Sequence, residues 1–314
     1  MNMRLCSILL CMASLSFAGK TASFKIGDAE IIVLQDKEHT MPNKLFLGAP
    51  PDEIEAAVPS GQSPASINAF VIRTVEHVKD EENKDKPPKI LKRTYLIDSG
   101  MNSETLLTNL QKVGIKPEDI DVVLITHMHF DHIGGLLHKG MATFPKATLH
   151  IAKDEYNYWR KANPNIKQIG NAYRTHIELF TFGEDLPIVR VEQSELEKNV
   201  ALTRGKETTR IVEMTDYTFQ GLSAMGHTPG HTVFENNKIM AIGDLVHSAA
   251  LQFADPGICA QYDMEMEKAI ETRKKFFERA AESKKLVLGA HLPFPGIGHI
   301  LKDEADRFSF EPLK

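Results

Sequence analysis

Hydrophobic residues along the chain occur in short runs between turn-forming residues and in longer stretches with helical spacing. Short apolar runs rich in β-branched residues predict strands, and apolar positions at helical spacing predict helices. Predicted strands cover 24–27, 30–34, 66–73, 93–97, 122–126, 147–151, 216–224, 232–235, 238–243 and 285–289, the last being the final strand. Predicted helices cover 103–113 with Ser103 as N-cap, 153–162, and 263–283 with Ile270, Phe276 and Phe277 inward. Strands with helices spaced between them favour an α/β layered domain.

Three segments lack a clear period. Residues 36–64 are rich in proline, glycine and polar groups, which predicts a loop with one short helical piece near 51–54. Residues 79–88 carry charges of both signs and are typical of a solvated hairpin tip. Residues 163–210 predict a long excursion of helix and loop.

The bulk composition is that of an ordinary globular protein. The chain has 314 residues, 42% hydrophobic and 25% charged, with a formal net charge of -5. Such a balance provides no basic field that would attract nucleic acid, so nucleic-acid binding is not expected. Length alone suggests about two domains at ~150 residues each.

The N-terminus has the pattern of a secretory signal peptide. Arg4 precedes a short apolar core, and Ser16-Phe17-Ala18 forms a small-x-small end. The apolar run is shorter than the ~20 residues that a membrane anchor needs. We therefore expect cleavage after Ala18, export to the periplasm or the medium, and no membrane association of the mature chain 19–314. That chain retains one cysteine, Cys259, which predicts no internal disulfide and a small buried side chain.

Four motifs with histidine or aspartate directly follow predicted strands. They are Thr126-His127-Met128-His129-Phe130-Asp131-His132, Gly226-His227-Thr228-Pro229-Gly230-His231, Gly243-Asp244 and Gly289-Ala290-His291. Imidazole nitrogens and carboxylate oxygens together suit Zn²⁺, iron or manganese. A surface histidine cluster is the alternative interpretation, but so many imidazoles are costly to bury without a metal to hold them.

This ordered set resembles the metallo-β-lactamase superfamily, and the resemblance covers about residues 24–299. It implies an α/β fold, the four-layer αββα sandwich of two mixed β-sheets flanked by helices, and thus a single domain over 19–314. In that fold the strand ends lie along one edge, which brings His127 and His291 together. The resemblance also implies that Asp98, in an Asp-x-Gly turn, supports the metal loop.

The resemblance implies two divalent metal ions, with zinc as the first expectation and iron or manganese as alternatives. The first ion would take His127, His129 and His227, the second Asp131, His132 and His291, with Asp244 as the bridge. His231 would be structural, and His291 fits the strand end better than His299. A hydroxide held between the ions would then attack an ester, a lactone or a phosphotriester.

Among the branches of the family, the chain looks most like methyl parathion hydrolases and quorum-quenching lactonases. The lactonases carry a tyrosine three residues after the bridging aspartate, where this chain has His247. We expect Asp131 and Asp244 to orient the nucleophile and His247 to donate a hydrogen bond to the substrate. The substrate is expected to be a small molecule with an apolar or aromatic portion near Trp159, unless Trp159 only packs on the core. A homodimer is a family-level expectation.

Other functions stay open at this point. True β-lactamases of the family generally lack a bridging aspartate, so Asp244 argues against that activity. A mononuclear iron dioxygenase acting on persulfides would use only His127, His129 and Asp244. A non-catalytic metal-binding or ligand-binding module on the same fold is the alternative outside enzymology. Metal content per chain separates these cases.

Overall fold

Two β-sheets packed face to face form the centre of the computed structural model, which describes residues 21–78, 87, 89–182 and 218–313. The strands are β1 Thr21–Ile26, β2 Ala29–Pro42, β3 Phe46–Leu47, β4 Gln62–Val78, β5 Lys89–Ile97, β6 Val122–Leu124, β7 Leu137–His138, β8 Met141–Ala142, β9 Thr148–Ala152, β10 Ile177–Phe180, β11 Gln220–Ser223, β12 Thr232–Glu235, β13 Ile239–Gly243, β14 Cys259–Ala260, β15 Leu286–Gly289, β16 Ile297–Lys302 and β17 Phe308–Pro312. The α-helices are α1 Pro51–Ala57, α2 Ser103–Lys112, α3 Phe130–Ile133, α4 Lys153–Ala162, α5 Ile166–Ala172, α6 Ala249–Gln252 and α7 Met266–Ser283.

Both sheets are mixed. The first has the strand order β1-β2-β4-β5-β6-β9-β10, antiparallel up to β5 and parallel from β5 to β10. The second has the order β11-β12-β13-β15-β16-β17, in which β13 and β15 are parallel and the other neighbours antiparallel. Helices cover the outer faces. The predicted fold, two mixed sheets flanked by helices, is confirmed.

The consecutive apolar residues 31–34 of β2 are explained by burial on both faces of the strand. Ile31 and Val33 face the second sheet in one buried cluster, whereas Ile32 and Leu34 lie in the cluster beneath the helices. Side chains alternate across a strand, so a strand buried on both faces is apolar throughout. A third cluster packs Phe276 of α7 against the outer face of the second sheet.

Several element limits differ from the predicted ones. β2 continues to Pro42 and β4 begins at Gln62, because the two strands stay paired beyond the predicted limits, where Met41 and Ala65 pack in a small separate cluster with Ile54. The short helix α1 lies between them, as predicted. The prediction that 285–289 is the final strand is wrong, since β16 and β17 follow it.

Helix termini also correct the sequence-based limits. The N-cap of α2 is Asn102, whose side chain accepts a hydrogen bond from Thr105 N at 2.8 Å, and Ser103 is the first helical residue. α7 begins at Met266, because the backbone N–H groups of the two preceding residues donate hydrogen bonds to the loop that carries His227. Met264 N donates to His227 O at 3.2 Å and Glu265 N to Gly226 O at 2.8 Å.

The segment 163–210, predicted to contain helix and loop, forms α5 and β10 up to residue 182. The rest of it lies outside the described residues. The predicted signal peptide 1–18 lies outside them, and so does the predicted hairpin tip at 79–88 apart from residue 87. Among the described residues, no helix has both the length and the apolar composition to cross a membrane. Cys259 is a buried free cysteine, as predicted.

Candidate metal centre

The side chains singled out in the sequence meet at one edge of the two sheets. The loop with His127 follows β6, Asp244 follows β13 and His291 follows β15. β6 lies in a parallel part of the first sheet, and β13 and β15 are parallel in the second. The carboxyl ends of parallel strands open at the same edge, so residues far apart in the sequence become neighbours there.

The first group of candidate ligands is His127, His129, His227 and Asp244, whose ligand atoms all lie within 4.8 Å of one another. His129 Nδ1 lies 2.9 Å from His127 Nε2 and 3.0 Å from His227 Nε2. Asp244 Oδ2 lies 3.6 Å from His127 Nε2 and 3.3 Å from His227 Nε2. The predicted first ligand set is therefore brought together.

The second group is Asp131, His132 and His291, again within 4.8 Å. Asp131 Oδ2 lies 3.4 Å from His291 Nε2 and 3.7 Å from His132 Nε2. Asp244 reaches this group as well, because its Oδ1 lies 3.1 Å from His132 Nε2 and its Oδ2 3.1 Å from His291 Nε2. One buried carboxylate thus stands between the two groups, where the sequence predicted the bridge.

The far nitrogens of three imidazoles are held by oxygen acceptors. The pairs are His132 Nδ1 with Asp98 Oδ2 at 2.9 Å, His227 Nδ1 with Asp263 Oδ1 at 2.8 Å, and His291 Nδ1 with the Ser66 carbonyl at 3.0 Å. An imidazole that donates from Nδ1 keeps the lone pair on Nε2, and this arrangement orients metal-binding histidines in proteins. The Nε2 atoms of these three histidines are therefore oriented toward the centre, where a cation can replace a proton on them.

The centre holds two buried polar atoms that lack a well-formed hydrogen bond. His132 Nε2 and Asp244 Oδ1 lie 3.1 Å apart, close enough for an ion pair, yet neither makes a hydrogen bond of good geometry to the described residues. Buried groups of this kind are expensive unless something compensates them. A pair of divalent cations would satisfy both atoms, so the residues present fit such ions.

The charges of the buried histidines and aspartates also favour bound cations. Burial acts to lower the pKa of His132, but the carboxylates of Asp244, Asp131 and Asp98 overcome it and raise that pKa well above its ordinary value. Burial acts to raise the pKa of Asp244, yet the neighbouring His132 and His291 hold it far below its ordinary value. The carboxylates thus stay ionised and draw positive charge into the centre.

Asp98 supports the ligand loop, as the sequence predicted. Its Oδ1 accepts from Thr126 N and its Oδ2 from Thr126 Oγ1, each at 2.9 Å, besides the contact with His132. Asp98 has a positive φ of 56°, a conformation that aspartate tolerates better than most residues. His231 lies outside both ligand groups. Burial lowers its pKa to about 3, so it is neutral.

His247 belongs to the same centre. Its Nε2 lies 3.2 Å from Asp244 Oδ2, and its ring stacks on His291 with centroids 5.1 Å apart. Ligand atoms of His247, Asp244 and His291 also lie within 4.8 Å of one another, so His247 is itself a candidate ligand. Sequence reasoning considered it only as a substrate donor, because the resemblance supplied no ligand at that position.

A cleft of about 530 Å³ opens above the two groups. Its floor carries His129, Asp131, His227, Asp244, His247 and His291, and its walls are His39, Thr40, Met41, Pro42, Leu45, Phe130 and Tyr262. Phe130 is 66% exposed and Tyr262 43% exposed. Residues 36–64 were expected to shape the pocket and were predicted to be loop, but the wall residues 39–42 belong to β2.

Trp159 lies beside the centre. Its ring packs edge-on against His129 with centroids 5.2 Å apart, and its Nε1 donates to Glu155 Oε1 at 2.7 Å. It also packs against the core cluster beneath the helices. The residues that line the cleft do not include it. An apolar portion of a substrate near Trp159 stays a prediction.

The fold and this convergence of histidines and aspartates define a protein of the metallo-hydrolase class. The model of the Metallo-beta-lactamase superfamily matches residues 92–291, well over half of the chain. The chain belongs to this superfamily.

Known proteins with similar sequences match only part of the chain. Exodeoxyribonuclease WalJ of Streptococcus pneumoniae is 33% identical over 97 residues, 30% of this chain and 35% of that protein. A probable metallo-hydrolase of Mycobacterium bovis is 34% identical over 106 residues, 29% of this chain and 33% of that protein. The chain spans about a third of the length of these curated relatives.

Solved structures match almost the whole chain. The hydrolase AbOPH of the beta lactamase superfamily has a TM-score of 0.71 and 26% identity, covering 94% of this chain and 98% of its own. AidC, a dizinc quorum-quenching lactonase, has a TM-score of 0.70 and 23% identity, covering 94% and 97%. The second likeness establishes the fold alone.

Proposed function

We propose that this protein is a dinuclear metal-dependent hydrolase that cleaves an ester, a lactone or a phosphotriester. The observation that carries the proposal is the position of Asp244, whose two oxygens reach both ligand groups at the floor of an open cleft. The full-length likeness to the hydrolase AbOPH supports hydrolysis. Zinc is the first candidate metal, and iron and manganese follow.

Two divalent ions, when bound, lower the pKa of a shared water and polarise the bond to be cleaved. His127, His129 and His227 would hold one ion, Asp131, His132 and His291 the other, and Asp244 both. Asp131 is the carboxylate of the set that lines the cleft while remaining 27% exposed on its side chain. It can therefore orient the attacking water and accept its proton, and Asp244 fixes the water from below.

His247 is proposed to donate a hydrogen bond to the substrate oxygen. It lines the cleft, and its Nδ1 is buried with no hydrogen-bond partner among the described residues. Its backbone N–H is fixed by Gln252 Oε1 at 2.6 Å, which holds the ring in place. Burial lowers the pKa of His247, so the ring is neutral and can both donate and accept.

The cleft walls support a substrate with an apolar portion. Phe130 and Tyr262 expose aromatic surface beside the floor, and Met41 and Leu45 line the same cleft. An apolar pocket with a few convergent polar groups is typical of small-molecule sites. Such walls favour the methyl parathion hydrolase and lactonase branch over a nuclease, because a nuclease would need basic residues around the cleft to bind its anionic substrate.

The test combines metal analysis of the purified protein with a panel of p-nitrophenyl esters, lactones, a phosphotriester and a cephalosporin. About two metal ions per chain and turnover that a chelator abolishes are expected, and the fastest substrate identifies the branch. One iron per chain, or two ions with no turnover on the panel, would instead support the dioxygenase or the binding module.

Asp244→Ala sharpens this test. The variant should lose turnover and at least one of the two ions, because both groups lose a shared ligand. Asp255→Asn is the matched control, since Asp255 is an exposed aspartate that accepts only a local hydrogen bond from Gly257 N. Wild-type turnover in Asp244→Ala would exclude the bridging role.

Export is a further proposal, based on residues 1–18. N-terminal sequencing of the protein recovered from the periplasm or the medium should begin at Gly19. Recovery of the uncleaved chain in the cytoplasm would contradict it.

A further inference from the structure

Glu155 is a fully buried carboxylate in the first turn of α4, and it is not one of the candidate ligands. Its Oε1 accepts a hydrogen bond from Met128 N at 2.8 Å and another from Trp159 Nε1 at 2.7 Å. Its Oε2 accepts from Gly230 N at 2.8 Å. Three N–H donors from separate parts of the chain thus share one carboxylate.

Two of these donors belong to the loops that carry the first ligand group. Met128 stands between His127 and His129, and Gly230 lies three residues after His227. Where the loops meet, His129 Nδ1 and His227 Nε2 are 3.0 Å apart. The carboxylate of Glu155 therefore links the backbones of two loops whose histidine side chains converge on one point.

The packing around Glu155 leaves little freedom. A Cβ placed on Gly230 would lie 2.5 Å from Glu155 N and 2.6 Å from Glu155 Cβ, so the turn lies directly against α4. Trp159, one helical turn further on, presses its ring edge against His129. The helix thus contacts both loops on the side away from the cleft.

A carboxylate suits this position better than an amide. Both oxygens of an ionised glutamate are acceptors, whereas a glutamine must turn an NH₂ group toward one of the three N–H donors. One loop would then lose its hydrogen bond and face a second donor. The loop spacing, and with it the triad of imidazoles, would relax.

We propose that Glu155 is a positioning residue that holds His127, His129 and His227 at the spacing required by the first metal ion. The proposal rests on the proposed metal-dependent function and deepens it. Glu155 acts through the backbone of the two loops and touches neither a metal ion nor a substrate.

The test is a metal titration of the Glu155→Gln variant. Protein depleted with a chelator is titrated with Co²⁺, and both the binding isotherm and the visible absorption of the bound ion are followed. The wild-type protein should bind two ions. Glu155→Gln should bind one of them about tenfold more weakly, which is the lower limit of the loss in metal affinity when a residue that orients a metal ligand is replaced. The visible spectrum of that ion should also change.

A matched control separates positioning from general loss of stability. Glu235 is also a buried carboxylate, but it pairs with Arg279 and Lys285 on the second sheet and contacts no ligand loop. Glu235→Gln should keep both Co²⁺ affinities and the wild-type spectrum. A matching loss of affinity in this control would overturn the proposal, because the effect would then follow from destabilisation.

Trp159→Phe provides a second variant that keeps the carboxylate and both loop contacts. It should weaken the same ion by less than Glu155→Gln does. Glu155→Asp, which keeps the charge but shortens the reach to the two loops, decides the question if Glu155→Gln does not fold. Wild-type affinities at both sites in the folded variants would overturn the role of Glu155. A wild-type chain that binds fewer than two ions would instead remove the dinuclear function, and this assignment with it.

Discussion

His231 Nε2 accepts a hydrogen bond from the backbone N–H of Asp244 at 3.0 Å. The other ring nitrogen donates to Ala224 O at 3.2 Å, so the imidazole joins the strand β11 region to the turn that presents the central carboxylate. Gly243, just before Asp244, has a φ of +50°, and a Cβ there would lie 2.6 Å from His231 Nε2. The Gly-Asp pair and the second histidine of the turn are therefore one structural unit.

Replacing His231 should weaken this unit. His231→Phe leaves the buried N–H of Asp244 without an acceptor, which costs about 1–3 kcal/mol. We expect that loss in the free energy of unfolding, measured with denaturant, together with weaker binding at both metal sites. Unchanged stability would show that the hydrogen bond contributes nothing.

His247 can be tested by two substitutions. His247→Phe removes the donor and should lower kcat by about 10²-fold or more, the effect of losing one preorganised donor to developing charge. His247→Tyr restores a donor of the kind that the lactonases carry and should recover part of the rate on lactones. An unchanged rate in His247→Phe would exclude His247 from catalysis.

Metal content of the same variants separates the two roles open to His247. Its Nε2 lies close enough to Asp244 and His291 to share an ion with them. A drop in bound metal in His247→Phe would assign it as a ligand, whereas full metal content with slow turnover would assign it as a substrate donor.

Phe130 should contribute to substrate affinity without affecting chemistry. Because it is 66% exposed at the cleft, Phe130→Ala should leave the fold intact. Losing an aromatic contact of about 1.4 kcal/mol corresponds to a tenfold higher KM for substrates with an aromatic or long apolar group. The value of kcat should not change, as expected for uniform binding.

Steady-state kinetics on substrates of increasing apolar size would check this prediction. Met141→Ala is the control, since Met141 is 69% exposed and does not line the cleft. An equal KM change in both variants, or a change on small substrates alone, would contradict a specific wall at Phe130.

Glu235 should make folding stability depend on pH. Burial acts to raise its pKa, but hydrogen bonds and charge from Arg279 and Lys285 overcome burial and hold the pKa below its ordinary value. A carboxyl with a depressed pKa in the folded state stabilises the protein above its unfolded-state pKa of ~4.3 and loses that contribution as pH falls through the folded-state pKa.

Glu235→Gln should therefore lower the free energy of unfolding at pH 7 by about 1.5–3 kcal/mol. The difference from wild type should shrink in acid, below about pH 4. Denaturant titrations across pH would show this. Glu278→Gln, in the exposed pair with Lys302, should change little at any pH. A constant difference for Glu235→Gln down to pH 2 would disprove the linkage.

The candidate ligands could be predicted because each lies within a few residues of a strand end, in a motif that is visible in the sequence. The predicted groups around His127 and His132 match those in the structure. The residues that hold these ligands in position could not be predicted from strand ends. Glu155 and Asp263 lie on a helix surface and in a loop, where nothing in the local pattern marks a buried acid.

The conformation of the cleft wall could not be predicted for a different reason. Residues 36–42 form the end of β2, but residues 36–40 are all polar, which removes the alternation that predicts a strand. Register with β4, from Lys37 opposite Ile67 to Pro42 opposite Gln62, holds them in place. Pairing between segments decides this conformation, and a single sequence does not display pairing.

The spread of the ligands along the chain has a consequence for folding kinetics. His132 follows a strand of the first sheet and Asp244 a strand of the second, and the 3.1 Å contact between them forms only after the sheets have docked. Metal ions should then bind the finished fold and not its early intermediates. Such late contacts slow unfolding while leaving the folding rate nearly unchanged. The metal-bound protein would unfold slowly because its unfolding barrier is high. Removal of the ions would speed unfolding without slowing refolding.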